Sequence, residues 1–191
     1  MKKKLFACLL SAAMVLSLAA CGGTTETETT DTEGSDSEGQ TYTIGVIQQM
    51  QHEALDAATQ GFQDAVAELF GDQASVEVQN ASGEAANCST IVGSFVSSGV
   101  DLIMANGTTA LQSAAAATTT IPILGTSITE YGVALGIDGF TGTTGMNVSG
   151  TSDLAPLDQQ AAMLQEWFPD AKNVGLLYCS AEPNSLYQVE T

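Results

Sequence analysis

From residue 42 onward the chain alternates short apolar runs with stretches of helical spacing, and this alternation limits its fold more than any other feature. Val100–Ala105 and Ile121–Leu124 are near-continuous apolar runs, as expected of strands buried on both faces. Tyr42–Gln48 and Ser75–Gln79 read as two more strands. Between them, Leu55, Ala58, Phe62, Ala65, Val66 and Leu69 recur at three and four and predict a helix over 54–70, closed by Gly71-Asp72. Residues 82–98 predict a second helix, with Ile91, Val92, Phe95 and Val96 inward, and 109–118 an alanine-rich third. Strand and helix in this rhythm make βαβ units with right-handed crossovers. The fold class is therefore α/β, a doubly wound parallel sheet.

The remainder is less regular. Residues 126–145 are rich in Gly and Thr and read as loop, followed by a strand near 147–151. A helix is expected over 156–168, with Leu157, Ala161, Leu164 and Trp167 or Phe168 on one side. Val174–Tyr178 reads as a strand and 185 onward as the start of a helix. That last strand is apolar on both faces, and nothing after it in the chain covers it. Either it joins the first sheet or it belongs to a second lobe, since one strand makes no stable sheet. The second is the expectation: 42–150 as a ligand-binding lobe, 151–191 as the start of a similar one, and the chain as an N-terminal fragment of a two-lobed protein.

The N-terminus reads as an address. Met1–Lys4 is cationic and Leu5–Leu16 apolar, too short for a comfortable membrane span. Leu18-Ala19-Ala20-Cys21 resembles a bacterial lipoprotein cleavage box, which makes 1–20 a signal peptide and Cys21 the lipidated residue. Gly22–Gln40 carries six acids and no large apolar side chain, so it is expected to be a disordered tether. The expected location is the outer face of the bacterial cytoplasmic membrane, held by lipid alone. Processing would leave one lysine against 22 acids, a net charge of −21. With no arginine anywhere, phosphate contacts lack their usual residues, and nucleic acid is excluded as a partner. Of the thiols beyond Cys21, Cys88 and Cys179 fall in different halves of the fold and are expected to be free and partly buried.

Assembled catalytic chemistry is missing. His52 is the single histidine, no Gly-x-Ser-x-Gly occurs, and His52-Glu53 lacks a second histidine at zinc-protease spacing. No enzyme activity, metal or cofactor is implied. Polar residues collect instead where the strands end, the place ligands occupy in parallel sheets. Gln48, Gln49, His52 and Glu53 follow the first strand, and Asn106, Thr108 and Thr109 the third. Thr126, Ser127, Thr129 and Glu130 follow the fourth, and Glu182, Asn184 and Ser185 the last. Without arginine, a ligand carboxylate would rest on backbone N–H groups and hydroxyls at helix starts, best at Thr108-Thr109 and Asn184-Ser185. Glu53, Glu130, Asp153 or Glu182 could take an ammonium group. A zwitterion such as an amino acid satisfies both. The alternative is that Thr108, Asn184 and Ser185 are helix N-caps and the acids are solvated.

The runs IGVIQQMQHEALDAATQGFQDAV (44–66), NGTTALQSAA (106–115), IPILGTSITE (121–130), NVSGTSDLAPLDQQ (147–160) and FPDAKNVGLLYCSAEPNSLYQVE (168–190) resemble the tryptophan/tyrosine-type substrate-binding proteins of ABC importers. The resemblance covers 42–191. It implies a two-lobed, periplasmic-binding-protein-like fold that closes on a small ligand and delivers it to an ABC permease with its ATPase. It places His52, Thr108, Thr126, Thr129, Asp153, Asn184 and Ser185 in or beside the cleft. Departures are Glu53 and Thr109, where many relatives carry proline, and Glu130-Tyr131, where Asp-Pro is common. The expected ligand is an aromatic amino acid or related zwitterion. Rival readings are the ligand-sensing domain of a signalling system and an extracytoplasmic enzyme on the same fold.

Overall fold

The computed structural model describes residues 41–191. The signal segment, Cys21 and the acidic tether lie outside them. The elements are β1 (Tyr42–Gln48), α1 (Glu53–Phe70), β2 (Ala74–Asn80), α2 (Ala85–Ser98), β3 (Leu102–Asn106), α3 (Thr108–Ala117), β4 (Ile123–Ile128), α4 (Tyr131–Leu135), β5 (Val148–Ser152), α5 (Leu157–Trp167) and α6 (Pro183–Glu190). The five strands form one parallel sheet in the order β2-β1-β3-β4-β5. The doubly wound α/β expectation holds.

Alternation along the central strands sorts the core. Ile47, Ile103, Ala105 and Ile123 meet Val92 and Phe95 of α2, Leu111 and Ala114 of α3, and Ala134 of α4. Ile44, Val46 and Met104 meet Phe62 and Val66 of α1 on the other face. Phe95 lies so close to β1 that a Cβ on Gly45 would come within 2.7 Å of its ring. On the α1 face, Tyr42, Ile44, Phe62, Val66, Phe70 and Leu124 border an apolar hollow of about 480 Å³.

Four expectations need correction. Leu69 is 75 % exposed, because α1 turns Thr59 and Val66 to the sheet and its last turn overhangs. Residues 126–145 are not all loop. β4 extends to Ile128, and Glu130 starts the short α4, which ends at Gly136 in the left-handed region (φ +65°). Residues 174–178 form no strand. Val174, Leu176, Leu177 and Tyr178 stand exposed, since a strand needs a ladder partner and no described strand pairs with them. Finally, only Cys88 is buried; Cys179 is exposed, and both are free. Burial pushes the Cys88 thiol up, partly offset by its hydrogen bond with Ser113. Among the described residues no helix is long and apolar enough to cross a membrane.

Candidate functional site

The order β2-β1-β3 puts a topological switch point between β1 and β3, where neighbouring strands send their connections to opposite faces. Parallel sheets open a crevice at such a point, outside the strand ends. At these strand ends the chain carries amides and hydroxyls. Gln48, Asn106 and Thr126 stand in one register row across β1, β3 and β4. The Thr59 hydroxyl donates to Gln48 Oε1 (2.7 Å), and Gln48 Nε2 donates to Asp56 and to the Met50 carbonyl. Asn106 Nδ2 donates to the Leu55 carbonyl (2.8 Å) and to Thr59 Oγ1 (3.0 Å).

This network engages the Asn106 amide nitrogen. The residue is fully buried beneath the first turns of α1, where its amide nitrogen braces the strand end. Its Oδ1 has no partner among the described residues. A buried, hydrogen-bonded amide of this kind rigidifies what it joins. Here it joins the end of β3 to the start of α1.

His52 and Glu53 stand exposed at that start. His52 is the N-cap of α1, and its Nδ1 accepts from the Ala54 N–H (3.2 Å). No hydrogen bond joins either residue to the other candidates among the described residues. His52→Ala is expected to cost about 1 kcal/mol in urea unfolding through loss of the cap, and His52→Asn, itself a good cap, to restore most of it.

Thr108 opens α3 and is buried. The cap is Gly107, and α6 is capped at Glu182, so Thr108, Asn184 and Ser185 are first-turn residues and not caps. Asn184 and Ser185 are half-buried, and Asn184 Oδ1 is unpartnered among the described residues. Gln49, which sequence reasoning places only at a strand end, bridges the two helix starts. Its Oε1 accepts the Thr109 N–H (3.0 Å), and its Nε2 donates to Glu182 Oε1 (2.9 Å). The signal for it was a second glutamine at the end of β1, one position beyond the register row.

The β4 end is irregular. Its register against β5 shifts between Gly125 and Ile128, and Ser127 takes φ +55°, a rare conformation for a residue with a side chain. Thr126 and Ser127 are half-buried, and Thr129 is buried with its carbonyl accepting from the Ser152 hydroxyl. Glu130 caps α4, its carboxylate accepting the Val133 N–H (2.6 Å), so one oxygen is already engaged. Asp153 is exposed, and its N–H donates to the Ile128 carbonyl (3.0 Å). The structure thus gathers Thr108, Thr126, Ser127, Thr129 and Asp153 along the ends of β3, β4 and β5. Gln49 ties the start of α6 to this row.

Tyr131 secures the irregular stretch. Its hydroxyl lies 3.0 Å from the Gly125 carbonyl and 3.2 Å from that of Thr151. Burial, with the Asp153 carboxylate adding to it, pushes this phenol up to about 12. Below pH 10 both folded and unfolded chains keep the proton, and the contribution is complete. Between pH 10 and 12 only the unfolded chain ionises, and stability falls by about 2–3 kcal/mol. Tyr131→Phe is expected to flatten that limb of the stability–pH curve.

Known proteins carry the same framework. A family profile described as ABC transporter substrate binding protein matches residues 43–191. The chain is 36 % identical over 151 residues to a tyrosine-binding protein of Clostridioides difficile (strain R20291), covering 78 % of this chain and 44 % of that one. It superposes with a TM-score of 0.73 and 34 % identity on an ABC domain from Streptococcus pneumoniae solved in complex with L-Trp, covering 79 % of this chain and 52 % of the other. A conserved domain protein from Vibrio cholerae gives a TM-score of 0.74 at 30 % identity, with the same coverage. The chain spans about half the length of these relatives. The profile match, which runs from β1 to the end of α6 across the five-stranded parallel sheet, places this chain in the ABC transporter substrate-binding protein family.

Proposed function

We propose that this chain forms the ligand-capturing part of an extracytoplasmic receptor that hands a small zwitterion, an aromatic amino acid, to an ABC import permease and its ATPase. The observation that carries this reading is the row of amides and hydroxyls at the strand ends, in a chain with no arginine to hold a carboxylate. Thr108, Thr126 and Ser127 would take the carboxylate together with nearby N–H groups. Asp153 and Glu53, whose carboxylates have no hydrogen-bond partner among the described residues, would take the ammonium. The relatives named for tyrosine and crystallised with L-Trp support an aromatic side chain.

In this reading 42–150 is the first lobe and 151–191 opens the second. The apolar side chains exposed on the latter, among them Trp167, Phe168, Leu176 and Leu177, favour it, because they need a further layer to cover them. Aromatic specificity then rests mainly on the second lobe. Near the first-lobe site Met50 is 37 % exposed, whereas Tyr131 is buried and its hydroxyl engaged. Ligand would select a closed state by hinge motion. Cleavage before Cys21 and its lipidation would keep the receptor at the outer membrane face.

The test is a thermal-unfolding panel on the complete gene product with each common L-amino acid at millimolar concentration. Binding at a hundred times Kd stabilises the folded state by about 2.7 kcal/mol, and L-tryptophan or L-tyrosine is expected to raise Tm accordingly. No shift with any amino acid contradicts the proposal.

A further inference from the structure

We infer that Gln49 is a positioning residue that fixes where the start of α6 stands relative to the start of α3. Its backbone is held first. Its N–H donates to the Asn106 carbonyl (2.9 Å), and its carbonyl accepts the Gly83 N–H (2.8 Å), which pins it between the β2 and β3 loops. The residue is 8 % exposed. It lies against Gly107, where a Cβ would come within 2.6 Å of Gln49 Oε1, so this glycine leaves the room the amide occupies. The two ends of the amide then do different work. The oxygen accepts from α3 at Thr109, and the nitrogen donates to α6 at Glu182.

Glu182 supports this assignment by what it does not do. It is the N-cap residue of α6, yet its carboxylate makes no capping bond to its own helix, unlike Glu130 on α4. It meets Gln49 Nε2 and, at 3.5 Å, the Ser185 hydroxyl. Only a side chain with an acceptor and a donor at its tip serves both partners. Glutamate would keep the α3 bond and repel Glu182. Leucine would fill the space and keep neither. Asn184 and Ser185 ride on the helix start that Gln49 positions, so the residue sets the spacing between the two sides of the crevice. That consequence for binding rests on the receptor reading above.

The test has two arms. The first measures amide hydrogen exchange on the full chain without ligand. In Gln49→Glu, the amides of α6 are expected to exchange roughly tenfold faster, the effect of losing one hydrogen bond to a charged group, while Thr109 stays near wild type. In Gln49→Leu both should accelerate. In Glu182→Gln, which keeps an acceptor, α6 should stay near wild type. Unchanged α6 exchange in Gln49→Glu overturns the inference, as does a uniform rise through β1 and β3 in every variant, the mark of a general packing role. The second arm titrates L-tryptophan into the complete gene product. Weaker binding in Gln49→Glu, with Glu182→Gln close to wild type, supports the positioning role. Unchanged affinity despite faster α6 exchange overturns it for binding. A wild-type protein that binds no amino acid overturns the receptor reading and leaves the exchange result standing.

Discussion

Gly150→Ala is expected to leave little folded protein, with a loss above about 4 kcal/mol in whatever can be measured by urea unfolding. Gly150 lies in β5 with φ +151°. A Cβ there would overlap the Gly125 carbonyl oxygen on β4 and the Tyr131 hydroxyl. The first obstacle is backbone inside a parallel ladder. The second is a hydroxyl already held by two carbonyls, so neither can yield cheaply. The damage would reach the site, because the same strand delivers Ser152 and Asp153 to the crevice. Gly61→Ala is the matching control. Gly61 lies inside α1, where an added methyl group would meet nothing within 4 Å, and the change is expected to add about 0.5–1 kcal/mol of stability.

Asn106→Asp is expected to cost about 3–5 kcal/mol at pH 7. The wild-type Nδ2 faces two oxygens, the Leu55 carbonyl and Thr59 Oγ1, in a fully buried place. A carboxylate there would meet acceptors with an unpaired charge. Burial raises the folded-state pKa of such an acid above its unfolded value near 4. The penalty is then present above the unfolded pKa and relieved as the proton returns. Stability of Asn106→Asp relative to wild type should therefore climb as pH falls from 7 toward 4, as read from urea midpoints at several pH values. A flat difference across that range would contradict the buried network described for the end of β3.

These two residues illustrate what the sequence disclosed and what it hid. The apolar runs that became β1, β3 and β4 were legible because strands buried on both faces leave a continuous signal. Residues 174–178 carry the same signal and form no strand, since apolar content says nothing about whether a ladder partner exists. The short α4 is not legible because five residues with an internal glycine show too little periodicity, although Glu130 before it is a serviceable cap. At the candidate site, strand-end position says which polar residues share a row but not how deep each side chain lies. Asn106 reads as a polar residue at a strand end, and the structure buries it under the start of α1. Thr108, Asn184 and Ser185 looked equally like caps, and the caps proved to be Gly107 and Glu182. Gln49 was visible as a residue and not as a bridge, because its partners Thr109 and Glu182 are adjacent only once the sheet is wound.

The most direct test is a crystal structure of the complete gene product grown with L-tryptophan or L-tyrosine. The predicted result is an amino-acid head group at the switch-point crevice, its carboxylate against Thr108 and Ser127 and its ammonium facing an acid such as Asp153. Ligand density in the hollow lined by Tyr131, Phe140 and Met146 instead, with no ligand at the strand ends of β1, β3 and β4, would contradict it.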